Sequence, residues 1–219
     1  MIETMANRAA GRATRGQQFF ARWYPGFMER CEGAGQADLR ARHLTRAFGR
    51  TLDIGTGNGF SVPHFPATVT ELVLLEPNPR LRTELQRRTQ RIRARRWEIV
   101  DGDVQVLPFE DASFDTVAAS LLFCSVPDPR AALAEVHRVL RPGGTFLFHE
   151  HVRGTGVHGV LHHLITPVQR VIADGCRPNR DFLTTLESSE LSLLDVEDLP
   201  MPGTAAGMVP LVVGAATRD

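Results

Sequence analysis

The chain has 219 residues, 42% of them hydrophobic, with 25 basic and 25 acidic side chains and a net charge of zero. That length fits one sizeable α/β domain better than two, and the neutral balance argues against a dedicated nucleic-acid binder. No apolar run approaches a membrane span, and the polar, Arg-dotted stretch from Met1 to Arg22 lacks a signal peptide's apolar core, so a cytoplasmic location is expected. The cysteines, Cys31, Cys124 and Cys176, have spacings that suggest neither a disulfide framework nor a zinc knuckle.

The apolar residues Phe19, Phe20, Trp23, Tyr24, Phe27 and Met28 repeat with helical spacing over 16–31, with an interruption expected at Pro25-Gly26. A second helix is predicted over 36–48, then a strand at 51–54. A short helix broken by Pro63 and Pro66 should lead to a strand at 71–75, an Arg-rich helix at 79–95 and a strand at 96–101. After the turn Glu110-Asp111-Ala112-Ser113 comes a strand at 114–119. Asp128 is placed to cap a helix whose first turn holds Pro129 and whose stripe is Leu133, Val136, Val139 and Leu140. That helix should stop at Arg141-Pro142-Gly143-Gly144, which launches a strand at 145–150. Apolar segments at 191–199 and 208–216 read as a terminal antiparallel pair. Strands alternating with helices and closed by such a pair predict a doubly wound parallel sheet with one reversed strand. The expected organisation is a single domain over 1–219: a helical lead-in (1–48), a core (49–150), a covering segment (151–190) and the terminal pair (191–219).

The most telling stretch is Leu52-Asp53-Ile54-Gly55-Thr56-Gly57-Asn58-Gly59-Phe60, with Glu76 at the tip of the next strand. A glycine turn lets backbone approach a ligand closely, and an acid after the second strand accepts hydrogen bonds from ribose hydroxyls. The spacing is G-x-G-x-G, and Phe60 stands where a dinucleotide fingerprint has its third glycine. Asp53 at the mouth of the turn would repel a pyrophosphate and attract an ammonium group. A ligand with a ribose and a cationic amino-acid tail fits, which points to S-adenosylmethionine.

Taken with Gly102-Asp103, Phe114-Asp115-Thr116-Val117 and Arg138-Val139-Leu140-Arg141-Pro142-Gly143-Gly144, these motifs resemble those of class I S-adenosylmethionine-dependent methyltransferases of the type 11 group. The resemblance covers residues 45–150 by motif. It implies a Rossmann-like, seven-stranded, mostly parallel sheet whose last strand is antiparallel. It also implies that Asp53, Gly55, Thr56, Gly57, Asn58 and Gly59 surround the cofactor's methionine moiety, that Glu76, Pro77 and Asn78 meet its ribose, and that Gly102, Asp103 and Val104 meet the adenine edge. Tyr24, Ser120, Leu121 and Cys124 are expected beside the same cofactor.

A narrower resemblance lies in Leu122-Phe123-Cys124-Ser125-Val126, Phe148-His149-Glu150-His151-Val152 and Asp174-Gly175-Cys176 with Arg180. These segments are similar to those of the methyltransferase-like alkyl thiol methyltransferases. The animal members begin with an apolar membrane anchor that this sequence does not show, so membrane attachment is not carried over. Methyl transfer from a sulfonium is mostly alignment of two substrates in a dry pocket, with a base needed where the nucleophile arrives protonated. His151 is the candidate base for a thiol acceptor, since an imidazole titrates in the useful range. Glu150 is placed to orient it or to face the cofactor, and Asp174 and Arg180 to position it and draw an anionic substrate. Cys176 is not expected as a covalent nucleophile, because direct methyl transfer needs none.

No metal is expected: His158, His162 and His163 have i, i+4 spacing, but no acid or cysteine stands at a matching interval. The Arg-rich segment 80–96 lacks aromatic interleaving, and no Asn/Asp-Pro-Pro-aromatic run follows the 114–119 strand, so nucleic acid is disfavoured as a partner. The expected partner is a small-molecule acceptor, a thiol or else a phenol, quinone or natural product methylated on oxygen or carbon. The residues leave the oligomeric state open. A non-catalytic member of the fold is the rival class, and the intact glycine turn, Asp53, Glu76 and Asp103 favour the enzyme. The pocket cover is expected from residues 153–190 and the helix around Trp23 to Met28.

Overall fold

A computed structural model of the chain describes residues 15–205 and 208–219. The part of the polar N-terminus before residue 15 therefore lies outside the described residues. Seven strands form one sheet: β1 (Gly49–Ile54), β2 (Val69–Leu75), β3 (Arg96–Val100), β4 (Phe114–Ser120), β5 (Leu140–His151), β6 (Ser192–Pro200) and β7 (Pro210–Thr217). Their order is β3-β2-β1-β4-β5-β7-β6. Strands β1 to β5 are parallel, and β7 runs antiparallel to both β5 and β6. The expected mostly parallel sheet with a reversed last strand is what the chain builds. The helices are α1 (Arg15–Cys31), α2 (Ala37–Leu44), α3 (Pro79–Arg88), α4 (Pro129–Val139), α5 (Gly156–Ile172) and α6 (Phe182–Glu187).

Both faces of the sheet are covered, and strand alternation decides which residue goes where. Leu52, Ile54, Val73, Leu75, Val117 and Phe146 pack with Leu133 and Val136 of α4 and Phe182 of α6. Their neighbours Leu72, Leu74, Ala118 and Leu147 point the other way, onto Leu44 of α2, Phe65 and Leu85 of α3. The predicted cap on α4 forms, Asp128 accepting from Arg130 N and Ala131 N at 3.0 and 3.2 Å. Asn78 caps α3 in the same way.

Several expected boundaries move. Helix α1 continues through Pro25 without the expected break. The proline removes one helical donor, and burial of Met28 and Cys31 against Leu39, Met201, Leu211 and Val213 outweighs that loss. The Arg-rich helix ends at Arg88 with one tight turn to Arg91, because Ile92 and Ala94 turn inward to pack before β3. Helix α2 ends at Leu44, and the segment after the glycine turn shrinks to one turn, Val62–His64, held short by its prolines. Strand β5 begins at Leu140, and Arg141 to Gly144 form a bulge against β4 instead of a separate turn. That bulge is pinned by Gly143 N donating to Arg218 O at 2.7 Å, with Gly143 at φ +76°.

Among the described residues no helix is long and apolar enough to cross a membrane. Helix α5 nonetheless leaves Val157, Val160, Leu164, Val168 and Val171 exposed.

Candidate active site

Strands β1, β2 and β4 end level, with Ile54 paired to both Leu75 and Ala119. Connections leave β1 toward β2 on one side and arrive at β4 on the other, so a crevice opens at their carboxyl ends. A cavity of about 460 Å³ occupies it.

The three glycines of the first turn serve different needs. Gly55 and Gly57 line the cavity at φ +64° and +62°. A Cβ on Gly57 would meet only Gly55 O, at 3.9 Å, and so would project into open cavity. A Cβ on Gly55 would strike Leu122 Cδ1 at 2.6 Å, and one on Gly59 would strike Leu85 Cδ1 at 2.7 Å. Gly57 thus faces the cavity's space, while Gly55 and Gly59 let the turn after β4 and helix α3 pack close.

Glu76 reaches the cavity from the tip of β2. Its Oε2 accepts from Gly57 N at 2.8 Å and its Oε1 from Asn78 N at 2.7 Å, which ties the glycine turn to the start of α3. Burial pushes its carboxyl up to about 7 despite those two bonds. Pro77, Gly102, Asp103 and Val104 line the wall beside it. Asp103 is held by Gln105, whose N and Nε2 donate to it at 2.9 and 3.0 Å.

Asp53 does not stand at the mouth. It is 1% exposed, beneath the cavity floor, because it belongs to a strand flanked on both sides by neighbours. Its Oδ2 has no hydrogen-bond partner, and burial pushes its carboxyl up to about 7. Thr56, Asn58, Gly59 and Asn78 likewise do not line the cavity. Thr56 Oγ1 donates to Asp53 O at 2.8 Å.

A raised acid pKa means that the folded chain keeps a proton which the unfolded chain gives up near pH 4. The folded state therefore loses stability as pH rises from about 4 to about 7. Asp53→Asn should remove that share, on the order of 4 kcal/mol for a carboxyl moved to about 7. The check is the difference between wild-type and Asp53→Asn unfolding free energies of the ligand-free chain across that range. Equal slopes for the two would count against a strained Asp53.

The cover is where the two distant segments meet. Phe20 and Tyr24 of α1 line the cavity with their rings stacked at 4.4 Å. Trp23 Nε1 donates to Ile172 O at 2.9 Å, which joins α1 to α5. Asp174 and Gly175 line the cavity from the segment after α5. Across from them stand Ser120, Leu121, Leu122 and Ser125, from the end of β4 and its turn. Leu121 and Asp174 both adopt positive φ, +55° and +46°, an uncommon strain for residues with a Cβ and one that clusters at functional sites.

Among the described residues the lining includes the acids Glu76, Asp103 and Asp174 and no Arg, Lys or His. Such a cavity suits a cation.

The remaining candidates lie just outside this lining. Cys124, His151 and Cys176 converge behind it, their candidate ligand atoms within 4.8 Å of one another. The Cys124 thiol is pushed well above its ordinary value, first by its hydrogen bond with Cys176 and then by burial. Glu150 points away from His151 and accepts from Leu122 N at 2.9 Å and Phe123 N at 3.1 Å, bracing the turn after β4. Burial pushes it well above the ordinary carboxylate range. Its neighbour His149 is buried on Gln36 Nε2 at 3.0 Å, and burial holds it neutral, well below the usual range. Arg180 turns from the cavity and donates to Phe123 O and Val126 O, while its own carbonyl accepts from Arg153 N at 3.1 Å. It straps three loops together. His162 is likewise occupied, with Gly154 N at 3.0 Å and Met208 O at 2.8 Å.

Two residues had no signal in the sequence. Arg40 of α2 is buried and bonds Glu32 Oε1 at 2.9 Å, Ser61 Oγ at 3.2 Å and Ser120 Oγ at 2.6 Å. With Gln36 it fastens the helical lead-in to the ends of β4 and β5. Both partners are non-local, so no spacing marks them.

A family profile described as a methyltransferase domain matches residues 52–148. Thiol S-methyltransferase TMT1B of Homo sapiens is 31% identical over 183 residues, covering 80% of this chain and 74% of that protein. The chain belongs to the S-adenosylmethionine-dependent methyltransferases. This methyltransferase is also 31% identical over 173 residues to the ubiquinone/menaquinone biosynthesis C-methyltransferase UbiE of Methylobacterium nodulans, covering 75% of this chain and 65% of that protein. Its fold is similar to that of the YcgJ protein from Bacillus subtilis, with a TM-score of 0.66, 19% identity, and 84% of this chain and 98% of the other covered. Geranyl diphosphate C-methyltransferase from Streptomyces coelicolor A3(2), solved with S-adenosyl-L-homocysteine, matches with a TM-score of 0.64 at 14% identity, covering 84% and 77%.

The residues present fit the cofactor. A lining whose charged side chains among the described residues are all acids suits a sulfonium and an ammonium, Asp53 at the start of the glycine turn keeps Oδ2 unpartnered, and the open space at Gly57 admits a ligand against backbone.

Proposed function

We propose that this methyltransferase methylates the sulfur of a small thiol. The observation that carries this reading is the convergence of Cys124, His151 and Cys176 directly behind the cavity wall, on segments that are also those similar to thiol methyltransferases. When bound, S-adenosylmethionine supplies a methyl group on a cationic sulfur. The chain's own residues do the rest. Glu76 meets the ribose, Asp103 and Val104 the adenine edge, and the Gly55 to Gly59 turn the amino-acid tail over Asp53. Phe20, Tyr24 and the segment around Asp174 exclude water, and His151 lowers the cost of forming the acceptor thiolate.

Incubation of purified protein and cofactor with matched panels of thiols, phenols and quinones tests the acceptor. Methylated thiols are the expected products. Methylation of a phenol or quinone with none of any thiol would end the thiol reading and favour carbon or oxygen transfer, which the similarity to UbiE supports.

Glu76→Ala should weaken cofactor binding by about 1–3 kcal/mol, the scale of a hydrogen bond to a charged group. Calorimetric titration with S-adenosyl-L-homocysteine checks it, and an unchanged affinity would remove Glu76 from the ribose.

A further inference from the structure

Cys124, His151 and Cys176 come from three separate places: the turn after β4, the end of β5 and the loop after α5. Their ligand atoms lie within 4.8 Å of one another, and among the described residues no fourth His, Cys or acid joins them. A tetrahedral zinc ion holds Cys sulfur at about 2.3 Å and His nitrogen at about 2.0–2.1 Å, which sets the ligand atoms about 3.5–3.8 Å apart. Side-chain rotation covers the difference. Cys124 Sγ gives up little by rotating, since beyond Cys176 and His151, which would share the ion, its contacts are Leu121 O at 3.7 Å and Ser125 Oγ at 3.6 Å, both weak for sulfur.

The loops that carry these residues are held in place independently of any ion. Arg177 N donates to Cys124 O at 2.9 Å, which locks the two cysteine loops together. Arg180 straps the same turn to the backbone just past β5, two residues beyond His151. The group also borders the cavity, because Leu121, Leu122 and Ser125 flank Cys124 in the lining, and Asp174 and Gly175 immediately precede Cys176 there.

We infer that Cys124, His151 and Cys176 form a three-ligand site for a thiophilic divalent cation such as zinc, whose fourth position takes the sulfur of the acceptor. Three protein ligands with one open position is the arrangement of catalytic rather than structural zinc. An acceptor thiol entering that position loses its proton to solvent and is held as thiolate at the cavity wall. With the ion in place His151 serves as a ligand, and the dication does the work otherwise asked of the imidazole. The site deepens the thiol reading and rests on it for the identity of the acceptor alone.

The test uses the full chain, reduced and stripped of metal, titrated with Co²⁺ as an optical probe and with Zn²⁺ against a chromophoric chelator. One equivalent is expected per chain, with a thiolate-to-cobalt charge-transfer band. Cys176→Ser and His151→Ala should each weaken uptake by about 100-fold or more, beyond the usual effect of losing a group that only orients a ligand. Cys31→Ser, at the end of α1, should leave uptake unchanged. Calorimetric binding of S-adenosyl-L-homocysteine shows that each variant remains folded. Absence of stoichiometric uptake by the wild-type chain, or uptake indifferent to Cys176→Ser, would overturn the site. A chain that takes up the ion but methylates no thiol keeps the site and loses the acceptor. One that methylates thiols equally well with and without chelator, and takes up no ion, does the reverse.

Discussion

Gly57→Val is expected to reduce affinity for S-adenosylmethionine by at least about 100-fold, a loss of roughly 3 kcal/mol or more. Two effects act together. Gly57 sits at φ +62°, where a β-branched residue is strained by about 1–3 kcal/mol. Its Cβ direction is also empty of protein except for Gly55 O at 3.9 Å, so an isopropyl group would take up the space offered to the ligand. Gly57→Ala separates the two, carrying the backbone strain with much less of the bulk, and should lose less. Isothermal titration of each variant with the cofactor measures both. Wild-type affinity for Gly57→Val would move the binding site away from the glycine turn altogether.

His151→Ala is expected to lower turnover of a thiol by about 10²–10⁴-fold, the contribution of a group that assists proton removal. Cofactor affinity should hardly change, because the His151 ring does not line the cavity. The deficit should shrink as pH rises past the ordinary thiol pKa of about 8.5, where the acceptor ionises unaided. Thiolate supply predicts this rescue whether the ring acts as a base or as a metal ligand. Turnover measured from neutral to alkaline pH decides the point. A deficit of the same size at every pH would make His151 a packing residue beside His162, whose ring lies edge-on at 6.5 Å.

The position of Asp53 links the binding site to stability. A buried carboxylate with an unpartnered oxygen costs free energy in the empty chain. A cationic ligand brought against it offsets that cost. Cofactor binding should therefore raise the wild-type melting temperature more than that of Asp53→Asn.

The sequence by itself determined the order of the strands along the chain and several residues that line the cavity, but it did not mark α5 or α6. The apolar strand runs at Leu52-Asp53-Ile54 and Leu72 to Leu75, the Asp128-Pro129 start of α4 and the glycine spacing are local patterns. Each is imposed by backbone sterics or hydrogen bonding within a few residues. Glu76, Pro77, Gly102, Asp103 and Val104 follow because the level carboxyl ends of parallel strands bring successive strand tips to one crevice. The tertiary structure alone decided everything that depends on long-range packing. Helix α1 runs through Pro25 because Met28 and Cys31 are buried against β7 and Met201. Arg40 became a buried anchor, and Arg180 a strap in place of a substrate-facing cation, because their acceptors are supplied by distant segments. Cys124, His151 and Cys176 carry no informative spacing, and only the closing of the loop after α5 onto the turn after β4 brings them together. Local patterns fix which face a residue presents. Which residues from remote segments meet on that face is set by packing of the whole chain.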